Sequence, residues 1–170
     1  MKTLLTFLFI FSITSVYALD KKLLQQSREA IVQVKKKSPV VKSALGSAHA
    51  YAVLPHVGSG GFILKGTHGK GIVFKGGSPI GSTAMTQTTV GLTIGGKKYI
   101  EVILFENSQS LKNFKEGNAK FTAGSSLYNL IKGKPKKIKY KEGLAIVILP
   151  IGGVMLDTSI GGQGFKYTPK

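Results

Sequence analysis

Residues 58–77 read GSGGFILKGTHGKGIVFKGG, and no other stretch constrains the fold as tightly. Eight of these twenty residues are glycine, and the apolar ones come in two bursts, Phe62-Ile63-Leu64 and Ile72-Val73-Phe74. The stretch could be a phosphate-cradling loop, a floppy linker, or a pair of strands whose backbone bends sharply. A phosphate loop needs its glycines to lead into a helix whose first amides hold the anion. Here each glycine cluster leads into Ile, Val and Phe, which favour strands, and no GxGxxG precedes a helical segment. The glycines therefore read as bends, bulges or close backbone approaches in a tightly packed sheet.

The flanking pattern agrees. Residues 20–37 lack Gly and Pro and read as a helix capped by Asp20, with Leu24, Ile31 and Val34 near one face and Leu23 and Ala30 beside them. Ser38-Pro39 ends it and starts a short second helix that closes near Gly46. From His49 onward the pattern is extended. Residues 51–54 form a strand that ends at Pro55, residues 83–94 (TAMTQTTVGLTI) another, and residues 99–105 (YIEVILF) the strongest of all. Asn107 or Ser108 caps a short helix with Leu111 and Phe114 inside, ending at Gly117-Asn118. Phe121, Leu127 and Leu130 belong to further extended chain. Residues 144–149 (LAIVIL) are a buried strand, and Val154-Met155-Leu156 and Phe165-Lys166-Tyr167 complete the set around Gly161-Gly162. Short strands, glycine-rich turns and helices gathered at the N-terminus predict an α+β domain with a mostly antiparallel sheet. Strands do not alternate with long helices, which disfavours a doubly wound nucleotide fold.

Residues 1–18 predict a secretory signal: a short positive start at Met1-Lys2, an apolar run from Leu4 to Val16, and a cleavage site after Ala18. The run is short for a membrane span, which needs about 20 residues; an uncleaved anchor is the alternative. Removing 18 of the 170 residues would leave 152, one ordinary domain, with residues 19–48 as a helical segment and 49–170 as the β-rich part. The protein is expected to be exported, periplasmic or secreted. It has no cysteine, so disulfides and thiol chemistry are excluded.

Charge is the loudest compositional signal. Lys plus Arg number 24 against seven Asp plus Glu, a formal +17, or +16 without Lys2. Such a surface attracts nucleic acid, anionic lipid or acidic glycan. Only Arg28 among the 24 is arginine, whose planar fork base and phosphate readout in nucleic acids favours, so no nucleic acid partner is expected. Lysine, a point charge, suits diffuse attraction to a membrane surface. The alternative is that the lysine excess reflects genome composition and solubility.

No catalytic constellation is visible. Residues 91–98 match GxxxxGK, but lysine stands where Ser or Thr must hold magnesium, and a strand follows. His49, His56 and His68 lack metal-ligand spacing, and Glu101 and Glu106 fall on opposite faces of one strand, poor for paired acid and base. Gly58-Ser59-Gly60 lacks the frame of a nucleophile elbow, and Asp157 reads as structural. No catalytic residue, metal or cofactor is therefore assigned. The candidate binding residues are two lysine groups. Lys35, Lys36 and Lys37 follow the amphipathic helix; Lys132, Lys134, Lys136, Lys137, Lys139 and Lys141 form the second, interleaved with Ile138 and Tyr140. Near an anionic bilayer each lysine contributes about 1 kcal/mol before screening. The alternative is a solvated edge whose lysines block aggregation.

Taken in order, AYAVLP (50–55), GGF and GKG (60–62 and 69–71), TAMTQ (83–87), GLTIGGKKYIEVILFE (91–106), the Leu111, Phe114, Gly117-Asn118 helix end and GLAIVILPIGGVMLDTSIGGQGFKY (143–167) resemble the SYLF lipid-binding domain, in its secreted bacterial branch. The resemblance spans residues 50–167. It implies a β-rich domain with N-terminal helices and no enzymatic activity. Eukaryotic relatives bind phosphoinositides and associate with actin and endocytic machinery, through an amphipathic N-terminal helix and a basic surface. An exported bacterial protein would instead meet phosphatidylglycerol, cardiolipin or lipopolysaccharide phosphates. The chain departs from its relatives in two places. KGKPKKIKYK (132–141) replaces a longer Ala/Gly-rich stretch, and the tryptophan common after the first hairpin of eukaryotic members is absent. The expected function is a non-enzymatic module on anionic lipid surfaces, with an envelope structural or adaptor protein that binds another protein as the alternative.

Overall fold

The computed structural model describes residues 19–60, 65–89, 97–119, 121, 126–133, 135–153 and 162–170. The expected signal segment, Phe62-Ile63-Leu64, the 91–96 part of the GxxxxGK match, Lys134, Val154-Met155-Leu156, Asp157 and Gly161 lie outside them.

Helix α1 (Lys21–Lys37) starts where Asp20 accepts from the amides of Lys22 and Leu23, and its last turn carries Lys35, Lys36 and Lys37. Cations there complement the helix dipole. Ser38 ends α1 and caps α2 (Pro39–Ser47), accepting from the Val41 amide with Pro39 in the first turn. A third helix, α3 (Ser108–Lys115), starts with a reciprocal capping box between Asn107 and Ser110.

Among the described residues there are seven strands, four before α3 and three after it: β1 (Ala50–Gly60), β2 (Lys65–Lys75), β3 (Ser78–Thr89), β4 (Lys97–Phe105), β5 (Ser126–Asn129), β6 (Leu144–Gly153) and β7 (Gln163–Pro169). They form one sheet in the order β5-β6-β4-β1-β2-β3-β7. Every pairing is antiparallel except β5 with β6. The result is a mixed α/β domain built on a mostly antiparallel sheet, as expected.

The first strand does not stop at Pro55. It runs on to Gly60 through a bulge, because between the Val53–Ile72 and His56–Lys70 pairs β1 has two residues (Leu54 and Pro55) where β2 has one (Gly71). A bulge is one of the few places where a strand tolerates proline, since the missing amide falls outside the ladder. It also flips the side-chain alternation, so that Val57 is buried and His56 exposed.

Two cores form on the two faces of the sheet. On the outer face α1 and α2 lay Ala30, Ile31, Val34, Val41 and Leu45 over Tyr51, Val53, Ile72, Phe74, Val102, Leu104 and Val147. Buried Ser27 donates to the Val53 carbonyl, 3.4 Å away. The inner face holds Leu54, Val57, Met85, Ile103, Phe105, Ile146 and Ile148. There α3 inserts Phe114, whose ring lies 4.9 Å from Phe105 on β4 and 5.2 Å from Phe165 on β7. Three strands separate β4 from β7, yet Gln163 reaches Glu101 at 3.2 Å. The sheet therefore curls until its far side chains meet.

Glycine permits that curl. A Cβ on Gly71 would overlap the Val53 carbonyl and meet Leu54 Cγ at 2.9 Å, and one on Gly81 would sit 2.5 Å from the Thr168 carbonyl oxygen. These are close approaches of packed strands, which only a residue without a side chain allows.

Candidate functional site

The expected lysines sit around the helix-bearing core. Lys36 and Lys37 are exposed and Lys35 half-buried, directly after buried Val34. Lys132, Lys136, Lys137, Lys139 and Lys141 are exposed in the β5–β6 connection. Residues 132–141 are not simply a surface loop. Ile138 is buried in the same cluster as Val34 and Val41, because the loop folds back onto the helical layer. The Tyr128 hydroxyl pins it, accepting from the Lys139 amide at 2.8 Å. Both lysine groups thus flank one core cluster. Burial, and then the charge of Glu106, raises the pKa of Tyr140 in this loop.

The sheet also assembles a basic surface that residue patterning alone does not show. Cross-strand pairing lines up His56, Lys70, Ala84 and Lys166 in one row across β1, β2, β3 and β7. The next row runs Gly152, Lys98, Gly58, His68, Thr86 and Gly164 across β6, β4, β1, β2, β3 and β7. His56, Lys70, Ala84, Lys166, Lys98, His68 and Thr86 are all exposed, and neither row contains an acid. Residues directly opposite on neighbouring strands share a face. The rows therefore lie on the outer face, at the margin of the area that α1 covers. The only trace in the sequence is the i, i+2 spacing of His68 and Lys70; the partners come from strands up to 98 residues away.

Two grooves open on this face. One, about 310 Å³, is lined by His56, Val57, Gly58, Lys98 and Ile151, with Ile151 44% exposed. The other, about 380 Å³, lies between the start of α1 and strands β2, β3 and β7, with Lys70 and Lys166 among its lining.

The inner face carries a polar group of another kind. Glu101 is fully buried; its Oε2 accepts from Gln163 Nε2 at 3.2 Å, and its Oε1 has no partner among the described residues. Gln87 and Gln163 approach at 3.5 Å beside it. Burial pushes the Glu101 carboxyl up to about 7, against the opposing effect of the Gln163 hydrogen bond. Burial, and then the Glu101 charge, raises the Tyr99 hydroxyl as well. Glu101 faces inward whereas His56 and His68 are exposed outside, so the sheet separates this acid from those histidines. Glu106, five residues on, is exposed. Among the described residues no three His, Cys, Asp or Glu side chains gather to hold a metal ion, and no helix is long and apolar enough to cross a membrane.

No protein-family model matches the chain, and no curated protein matches it.

Proposed function

We propose that the protein is an exported, non-enzymatic module that attaches to anionic lipid surfaces. In this reading residues 49–170 form a SYLF-like β-rich domain with glycine-rich turns, preceded by an N-terminal helical segment at 19–48. The observation that carries the reading is the pair of exposed lysine groups beside the helix-bearing core. Lys36 and Lys37 end α1, and Lys136, Lys137 and Lys139 stand on a loop anchored to that same core by Ile138. Val32, 64% exposed on α1, lies three and four residues before Lys35 and Lys36, and Ile131, 61% exposed, precedes Lys132. Apolar side chains beside lysines are what an interfacial surface requires: cations meet headgroups while methyl groups enter the acyl boundary.

Co-sedimentation of the purified protein with neutral and anionic vesicles across a salt series tests this. Binding should be confined to anionic vesicles and should fade as salt screens the charge. Replacing Lys136, Lys137 and Lys139 by glutamine should weaken it by about 1 kcal/mol per lysine at low salt. Unchanged binding in that variant would remove the loop from the account.

A second reading, an envelope adaptor, is favoured by one feature: β7 pairs only with β3 among the described strands, leaving an edge on which another chain could add a strand. A salt-insensitive protein partner without vesicle binding would select it.

A further inference from the structure

We propose that the groove beneath the start of α1 is a binding site for a phosphoryl group, either on a soluble phosphate ester or on a lipid headgroup. The proposal goes beyond the membrane-surface reading, because it rests on this groove and not on the lysine loop.

The groove holds about 380 Å³ and is lined by Leu19, Leu23, Lys70, Ser82, Lys166 and Thr168. Its floor is set by register. Lys70 pairs with Ala84 and Ala84 with Lys166, while in the next row Ile72 pairs with Ser82 and Ser82 with Thr168. Two lysines therefore flank one alanine, with two hydroxyl side chains in the adjacent row on the same face. Strands lie about 4.8 Å apart, which puts the Lys70 and Lys166 backbones roughly 10 Å apart. The short Ala84 side chain leaves the space between them open, so both flexible stems can lean over it and converge on one anion.

Neither ammonium forms an ion pair with an acid among the described residues. Asp20 also lines the groove; its Oδ1 accepts from the Lys22 amide at 2.9 Å and the Leu23 amide at 3.2 Å, and it makes no ion pair with either lysine. Two like charges brought over the same space repel, and an anion between them relieves the repulsion. Two ammoniums and two hydroxyls offer more donors than the two oxygens of a carboxylate can use, whereas a phosphoryl group presents three acceptor oxygens and up to two charges. The groove is larger than a bare phosphate requires, and Leu19 and Leu23 give the remaining space an apolar wall for the organic part of an ester.

Amide-resolved NMR titration tests the site with three probes. These are glycerol 3-phosphate, sodium chloride at matched ionic strength, and vesicles of phosphatidic acid in neutral lipid. The expected result is a saturable shift confined to the amides of Lys70, Ala84, Lys166 and Thr168. Affinity should fall about tenfold for each of Lys70→Gln and Lys166→Gln, and Lys112→Gln, on α3 and outside both surfaces, should change nothing. Thermal melts check that the variants remain folded, and Lys70→Arg should retain binding. Saturation by soluble glycerol 3-phosphate assigns the site to soluble esters. Binding only to phosphatidic acid vesicles, still lost in Lys70→Gln/Lys166→Gln, assigns it to a headgroup. Shifts that follow ionic strength, shifts that survive that double variant, or no local shift with any probe would overturn the proposal. Loss of vesicle binding in the Lys136, Lys137 and Lys139 variant with these shifts intact would separate the two surfaces.

Discussion

Glu101 is the buried group whose removal should strengthen the protein. Its side chain is fully enclosed in the curled sheet, Gln163 satisfies one oxygen, and the other has no partner among the described residues. Burial raises its pKa from 4.5 to about 7. The sign follows from linkage. Between pH 4.5 and 7 the folded protein holds a proton that the unfolded chain has released, so stability falls as pH rises through this window. Below 4.5 both states are protonated and the contribution is fully present; above 7 both are ionised and it is gone. A shift of this size amounts to about 3 kcal/mol, at roughly 1.4 kcal/mol per unit. Glu101→Gln keeps the shape and removes the charge. Urea unfolding of the protein and this variant, followed from pH 4.5 to 8, isolates the term in their difference. The two should be nearly equal in stability at pH 4.5, and the variant should be more stable by about 2–3 kcal/mol at pH 8. A difference that does not change with pH, or a variant less stable at pH 8, would refute the argument.

Two other substitutions probe the fold that carries the proposed surfaces. Gly71→Ala should destabilise by about 1–3 kcal/mol, since its Cβ would overlap the Val53 carbonyl and force β1 and β2 apart; thermal melts would show it. Phe114→Ala should cost about 3–5 kcal/mol, because that ring ties α3 to Phe105 and Phe165 across the interior; denaturant midpoints would measure the loss.

What could be read from the chain alone was local. Asp20, Ser38 and Asn107 mark helix starts because a short polar side chain beside free amides acts wherever it stands. Residues 99–105 and 144–149 announce strands because β-branched and aromatic residues in short runs suit a pleated surface. The glycines of 58–77 were legible as bends, bulges or close approaches, though not that Gly69 and Gly71 would be the close approaches and Gly76 and Gly77 the turn.

Pairing and curvature decided the rest. The β1 bulge carries a strand past Pro55, where the sequence alone marks an end. Ile138 is buried although it stands among lysines, because the loop folds back on the helical layer. Glu101 looks like an ordinary exposed strand acid until the sheet curls and brings Gln163 to it. Lys70 and Lys166 lie 96 residues apart and become neighbours across Ala84 only through register. Caps, turns and strand preference depend on a few adjacent residues, so the sequence determines them directly. A charged row or a buried acid depends on which strands pair and how far the sheet bends, and packing of the whole chain settles both.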